Sequence, residues 1–244
     1  MGKLAHVASW FTRTSAPVDA PKLKPRREQA SAVRVDLHEI APDLLPYLGQ
    51  VAYLQLQAFE TLSRVVQQVP SLTSKESVAL AAGAALSRHQ AVLAEIRRHD
   101  AEPAAVMAPF ALAVDGFQAI TIGRDWQETL LGVYVTDGLL GDFFMRLAQG
   151  LPGDVGPRAA SLLGSQTGTD QLAAILAVEI AEDGTLGSRL AMWGRRLVGD
   201  TLLVARSALK LSGNQRSDEE RIDPVFTEII GAHTRRMDAL GLTA

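Results

Sequence analysis

Apolar residues recur every three or four positions over long stretches of the chain, and the few polar residues that break these stripes define its candidate chemistry. Leu44, Leu48, Val51, Gln55, Ala58, Leu62, Val65 and Val69 share one face of a helix predicted from about Pro42 to Gln68, with Gln55 as the only polar residue on it. A second stripe on the same helix, Ala52, Leu56, Phe59 and Val66, predicts that it packs between neighbours. Pro70 stops it, and Thr73 with Glu76 reads as a capping box for a second helix that ends near Arg98. Along that helix Ala79, Ala82, Leu86, His89, Leu93 and Ile96 form the apolar line, so His89 also faces inward. A hairpin folded near residue 72 places Gln55 and His89 at one height.

The next stretch, His99 to Arg124, carries Pro103, Pro109 and a short apolar run, Phe110 to Val114. It is too long for a tight turn and predicts a crossover containing a short helix. Asp125-Trp-Gln-Glu128 is a second capping box, which assigns Glu128 to capping. The third helix then runs to about Gln149 along Trp126, Leu130, Val133, Asp137, Leu140, Phe144 and Leu147, with Asp137 breaking the line as Gln55 does. A fourth helix follows Pro157, has a polar middle, Ser165 to Asp170, and ends at Gly184. A fold near residue 153 brings Asp137 level with Thr169 and Asp170. Leu186, Leu190, Trp193, Leu197, Thr201, Val204, Ala208 and Leu211 mark a fifth helix with a basic outer face, and residues 212 to 222 read as a polar loop. Val225, Phe226, Ile229, Ile230, His233 and Met237 predict a short amphipathic helix at the end, with His233 as a packing or surface residue. The fold class is therefore all-α: a four-helix bundle with a long crossover between helices two and three and additional C-terminal helices.

Composition narrows the chemistry. With 244 residues, 47% of them hydrophobic, the chain can bury a full core. The organisation predicted is a basic, proline-rich arm over 1–40, a bundle with its fifth helix over 41–212, and a loop with a short helix over 213–244. The net charge of -3 argues against wholesale capture of nucleic acid or membrane, but residues 1 to 34 hold seven basic against two acidic side chains. That arm is expected to be a solvated tail, or else an electrostatic contact for RNA or an acidic partner. Without cysteine, any metal must be held by His, Asp or Glu. No apolar run approaches the length that spans a bilayer and the first residues lack a signal-peptide core, so a cytoplasmic protein without membrane contact is expected. Gly-Ser-Gln-Thr-Gly, residues 164–168, lacks the Lys and the preceding strand of a phosphate loop.

Several segments carry a resemblance: Tyr53-Leu-Gln-Leu-Gln-Ala-Phe-Glu60, Arg88-His89, Met107-Ala-Pro-Phe110, Asp125-Trp126, Tyr134-Val-Thr-Asp-Gly138 and Trp193-Gly-Arg-Arg-Leu-Val-Gly199. From about residue 44 to 211 the chain resembles an actinobacterial ferritin-like family grouped with the tRNA-modifying di-iron hydroxylases, the MiaE-like proteins. The resemblance implies a ferritin-like bundle in which Glu and Glu-x-x-His residues hold two metal ions. Here the expected Glu of helix one is Gln55, the Glu-x-x-His of helix two is Leu86-Ser-Arg-His89, and Ala173 stands three residues after Asp170 where a second His would be needed. His89, Asp137 and Asp170 are the ligands left. They are too few carboxylates for two divalent cations in a low-dielectric core, though they suffice for a single iron or manganese ion. A metal-free hydrogen-bonded layer is the other reading, and in it His89 or Arg88 must pair with one of the aspartates. Three functions follow. One is a non-catalytic member with a decayed di-metal site and no cofactor, acting as a helical binding or scaffold protein through a protein partner or a homodimer. Another is a metal-dependent hydroxylase or oxidase of RNA or a small molecule. The third is an RNA-binding accessory protein that uses the basic arm and the Arg195-Arg196 face.

Overall fold

A computed structural model describes residues 37–164 and 168–243, with the side chain of Gln215 excepted. The expectations placed on residues 1–36, including RNA contact by the basic arm, lie outside the described residues. The described regular structure is helical throughout: a 3-10 turn Leu37–Glu39, then α1 Leu44–Gln68, α2 Leu72–Arg98, α3 Pro103–Thr121, α4 Trp126–Ala148, α5 Val155–Gly164, α6 Thr169–Glu182, α7 Gly184–Ser207 and α8 Gln215–Ala239.

The first hairpin is as predicted, with one change at its turn. Ser71, not Thr73, caps α2: its side chain accepts a hydrogen bond from the Ser74 N–H at 3.2 Å. Pro70 ends α1, and the chain restarts a helix at the first residue able to supply a cap. α4 begins as expected, with Asp125 Oδ1 accepting from the Glu128 N–H at 2.8 Å. Three other boundaries differ. The crossover is a full helix of 19 residues, α3, because Pro103 occupies its first position, where a missing N–H costs nothing. Pro109 lies within α3 on its exposed side, where water can take the bond it forfeits. The expected fourth helix is two, α5 and α6, divided before Gly168, which adopts φ 69°. Its Cα lies against α2, where a Cβ would come within 2.8 Å of the Ala81 Cα, so only glycine suits both the conformation and the space. Finally, the polar segment after Ser212 is not a loop up to 222. Asn214 caps a helix of 25 residues that begins at Gln215, and buried Asp218 accepts from the N–H groups of Ser212 and Gly213.

α1 and α2 pack along each other, α4 crosses to α1, and α5 with α6 close the bundle against α2 and α4. α3 lies along α1, while α7 and α8 both lie along α4. Leu48, Val51, Val65, Ile96, Leu130, Leu139, Phe143 and Leu176 fill the centre, and each is almost fully buried. Tyr47 is buried among them; its hydroxyl donates to the Phe144 carbonyl at 2.9 Å and its ring meets Phe144 edge to face. Burial holds the Tyr47 phenol well above its ordinary pKa.

α3 also corrects the expectation that no apolar run approaches membrane-spanning length. Among the described residues, Pro103–Thr121 is long and apolar enough by length and composition, with a mean hydropathy of 1.4. Its inner side, Val114 and Phe117, is buried, while Leu112 and Ile120 are exposed. α1 and α3 approach so closely that a Cβ on Gly49 would overlap the Val106 carbonyl.

Candidate functional site at the mid-bundle polar layer

Gln55, Arg88 and Asp137 come from α1, α2 and α4, and the helix faces that bury their apolar neighbours aim all three at the centre of the bundle. Arg88 is the hub. Its Nε donates to Gln55 Oε1 at 2.6 Å and its Nη2 to Asp137 Oδ2 at 3.0 Å, an ion pair with the guanidinium only 4% exposed. Gln55 Nε2 closes the triangle on Asp137 Oδ1 at 3.3 Å. Because a guanidinium has no acceptor, the Gln55 amide must present its oxygen to Arg88 and its nitrogen to Asp137. The pairing of Arg88 with an aspartate is the one a metal-free layer requires.

The residues singled out as ligands are divided. His89 is buried, and one of its ring nitrogens is held by the backbone: Nδ1 lies 2.8 Å from the Ala52 carbonyl and, since a carbonyl only accepts, carries the proton, which leaves the Nε2 lone pair as the ring's acceptor. Asp137 is engaged by Arg88 and Gln55. Asp170 stands in the first turn of α6 and is exposed, reached from Asp137 across a cleft of about 260 Å³ that Gln55, Arg88, Thr169 and Arg236 also line. Among the described residues no three His, Asp or Glu side chains converge as a metal-holding group. Leu86 is part-buried on α2 and contributes no ligand. Arg236, from α8, pairs with Asp142 at 2.7 Å and lies against Gly138, whose missing Cβ leaves room for the guanidinium.

A second polar cluster joins α1 to α3, and the sequence reading missed it. Tyr53 donates its hydroxyl proton to Asp115 Oδ1 at 2.7 Å, and Gln57 Nε2 donates to the same oxygen at 2.8 Å. Gln118 Nε2 bridges back to Thr61 Oγ1 at 2.6 Å and to the Gln57 carbonyl. The hydrogen bond to Asp115, with burial, raises the Tyr53 pKa. The signal was present as spacing, Tyr53 with Gln57 and Asp115 with Gln118, but reading 99–124 as a connection left Asp115 and Gln118 without a helix to share. Beside this cluster a cavity of about 60 Å³ lies between α1, α3 and α4. Val51, Val114, Phe117, Val133, Leu140 and Phe144 make its walls apolar, while Gln55, Gln57 and Asp137 supply polar edges.

The sequence of residues 38–212 matches the model of a family described as ferritin-like domain, actinomycetes. The chain belongs to that family. A search of curated proteins returned no match. In this ferritin-like bundle α1, α2, α4 and the α5–α6 pair are the four core helices and α3 is the crossover, so Gln55, Arg88 and Asp137 occupy the layer in which such bundles build metal sites. The residues of that layer do not suit a pair of divalent ions. Gln55 is neutral, Asp137 is already neutralised, and Arg88 is a permanent cation that would face any metal ion at short range. The Arg88 guanidinium lies in this layer, paired with Asp137 and bonded to Gln55.

Proposed function

We propose that this chain is a non-catalytic ferritin-like protein, with a decayed di-metal site, that works as a helical binding protein. One observation carries the reading: the Arg88 guanidinium bridges Gln55 and Asp137 at the centre of the bundle. A cation there gives Asp137 the countercharge a metal ion would otherwise provide, and it repels an incoming divalent ion. Support for a partner or a second copy comes from α3, which presents Leu112, 87% exposed, and Ile120 on a face with no charged residue except Asp115. The MiaE-like resemblance suggests the competing reading, an oxygen-dependent hydroxylase. Elemental analysis of protein purified from iron- and manganese-supplemented medium separates them. Metal far below one ion per chain is expected; iron or manganese near one or two ions per chain, lost together with His89 in His89→Ala, would overturn the proposal in favour of the hydroxylase.

A further inference from the structure

One of the side chains that α8 buries is ionisable. His233 lies among Val225, Ile229 and Met237 of that helix and is 3% exposed. Both of its ring nitrogens are buried, and neither has a hydrogen-bond partner among the described residues. A neutral imidazole there leaves one donor and one acceptor unsatisfied, whereas an imidazolium would carry two unsatisfied donors and a charge. Among the described residues the one charge that acts on the ring is a like one, the Arg236 guanidinium a turn further along α8. Carboxylates in the neighbourhood are already engaged. α8 packs chiefly on α4, where Asp142 pairs with Arg236 at 2.7 Å, Asp137 pairs with Arg88, and Arg146 reaches Glu228 at 3.6 Å. The Tyr134 hydroxyl, also from α4, donates to the Arg236 carbonyl. Arg195, from α7, donates to the Thr243 carbonyl, Glu39 pairs with Arg221 nearer the start of α8, and Arg235 and Asp238 are exposed.

We propose that His233 is a pH-sensitive latch: proton uptake by its imidazole frees α8 from α4 before the four core helices part. In the interface the protonated ring has neither water nor a countercharge, and with α8 lifted it has water at both nitrogens. The direction of the effect follows from linkage. Burial and Arg236 lower the His233 pKa below its ordinary 6.5, so the ring binds fewer protons docked than released. Docking is therefore at full strength above that value and weakens as the pH falls below it. Release uncovers Phe143 of α4, which Phe226 of α8 meets edge to face, so the latch opens an apolar surface as the solution becomes acidic.

The test is hydrogen exchange of the full chain, resolved by mass spectrometry of its peptides and corrected for the intrinsic rate at each pH. Between about pH 7.5 and about pH 5.5 the protection of α8 amides is expected to fall roughly ten-fold, the factor by which an exposed imidazole gains protons, while α1 and α2 stay protected. His233→Leu cannot take up a proton and should hold α8 equally protected at both pH values. His233→Gln, unpaired but never charged, should loosen α8 to the same extent at both. The other histidines are present in each variant, so whatever they contribute appears in all three proteins. Unchanged protection of α8 in the unaltered protein would overturn the inference. So would an equal loss in α1, α2 and α8, which is acid unfolding of the whole bundle, or a fall of the same size in His233→Leu. The comparison of helices within the unaltered protein needs no variant to fold.

Discussion

Arg88 does at the scale of one side chain what a buried ion usually demands of a whole site. Desolvating a guanidinium is costly, and Gln55 and Asp137 recover that cost only because both lie within hydrogen-bond reach of a single planar fork. Removing one partner should therefore cost more than removing the pair. Arg88→Ala leaves Asp137, 17% exposed, without its countercharge and is expected to destabilise the fold by about 3 kcal/mol, or roughly 5–10 °C in Tm. Arg88→Met combined with Asp137→Leu should melt closer to the unaltered protein than either single variant, as read by circular dichroism. Additive losses in the double variant would show that the pair is no coupled unit. Much of this site was legible in the sequence: Gln55 and Asp137 each break an otherwise apolar line, and counting charges required Arg88 or His89 to pair with an aspartate. What periodicity could not supply was the choice between them. Neighbours on a helix point about 100° apart, and only the packing decides that His89 turns to the Ala52 carbonyl while Arg88 enters the centre.

Among the helices, a second set of ion pairs, on a buried carboxylate, lies at the start of α4. Glu128 is 1% exposed, and it receives the Arg124 N–H, the Arg124 guanidinium and Arg189 from α7, while Trp193 donates to its carbonyl. Arg189 also pairs with the capping Asp125, so one arginine secures both ends of the capping turn to α7. The Arg124 hydrogen bond, opposed by burial and reinforced by Arg189, lowers the Glu128 pKa from 4.5 to about 2. A carboxylate depressed in this way stabilises the fold fully above its ordinary value, and the contribution is lost as pH falls from 4.5 towards 2. Arg124 is mostly exposed, so solvent screening reduces its share of this contribution and leaves more of it to Arg189. Unfolding free energy measured by denaturant titration should decline across that interval in the unaltered protein and stay flatter in Glu128→Gln; parallel slopes would refute the assignment. Capping at Asp125 could be read directly from Asp-x-x-Glu, whereas the ion pairs could not, because Arg189 is distant in sequence and its helix shows only a generally basic outer face. The same limit explains α3 and the division of α5 from α6. Prolines that look like breaks are tolerated at a first position and on an exposed side, and the interruption before Gly168 is set by its close approach to Ala81.

For the molecule as a whole, the family match ends at residue 212, but the packed helices do not: α8 continues the described structure to Ala239. α8 lies beyond the matched residues and buries Ile222, Val225, Ile229, His233 and Met237. His233 is held neutral, its pKa lowered by burial and by the nearby Arg236. Met237 packs over Gly194 of α7, where a Cβ would come within 2.7 Å of its methyl group, and Arg236 ties the helix to Asp142 of α4. Each of these apolar side chains contributes about 1.5–3 kcal/mol by burial, and a whole domain retains only about 5–15 kcal/mol of net stability. A chain ending at Ser212 loses those contacts and also uncovers Phe143, which meets Phe226 of α8 edge to face. It should therefore fail to melt cooperatively and should self-associate on size-exclusion chromatography, even though it retains all the residues that match the family. A sharp melt within a few degrees of the full chain would mean that α8 is an appendage. Loss of cooperativity would mean that this bundle is completed by a helix outside the matched domain, one that Val225, Ile229, His233 and Met237 foreshadow by spacing although the polar run before them conceals where it starts.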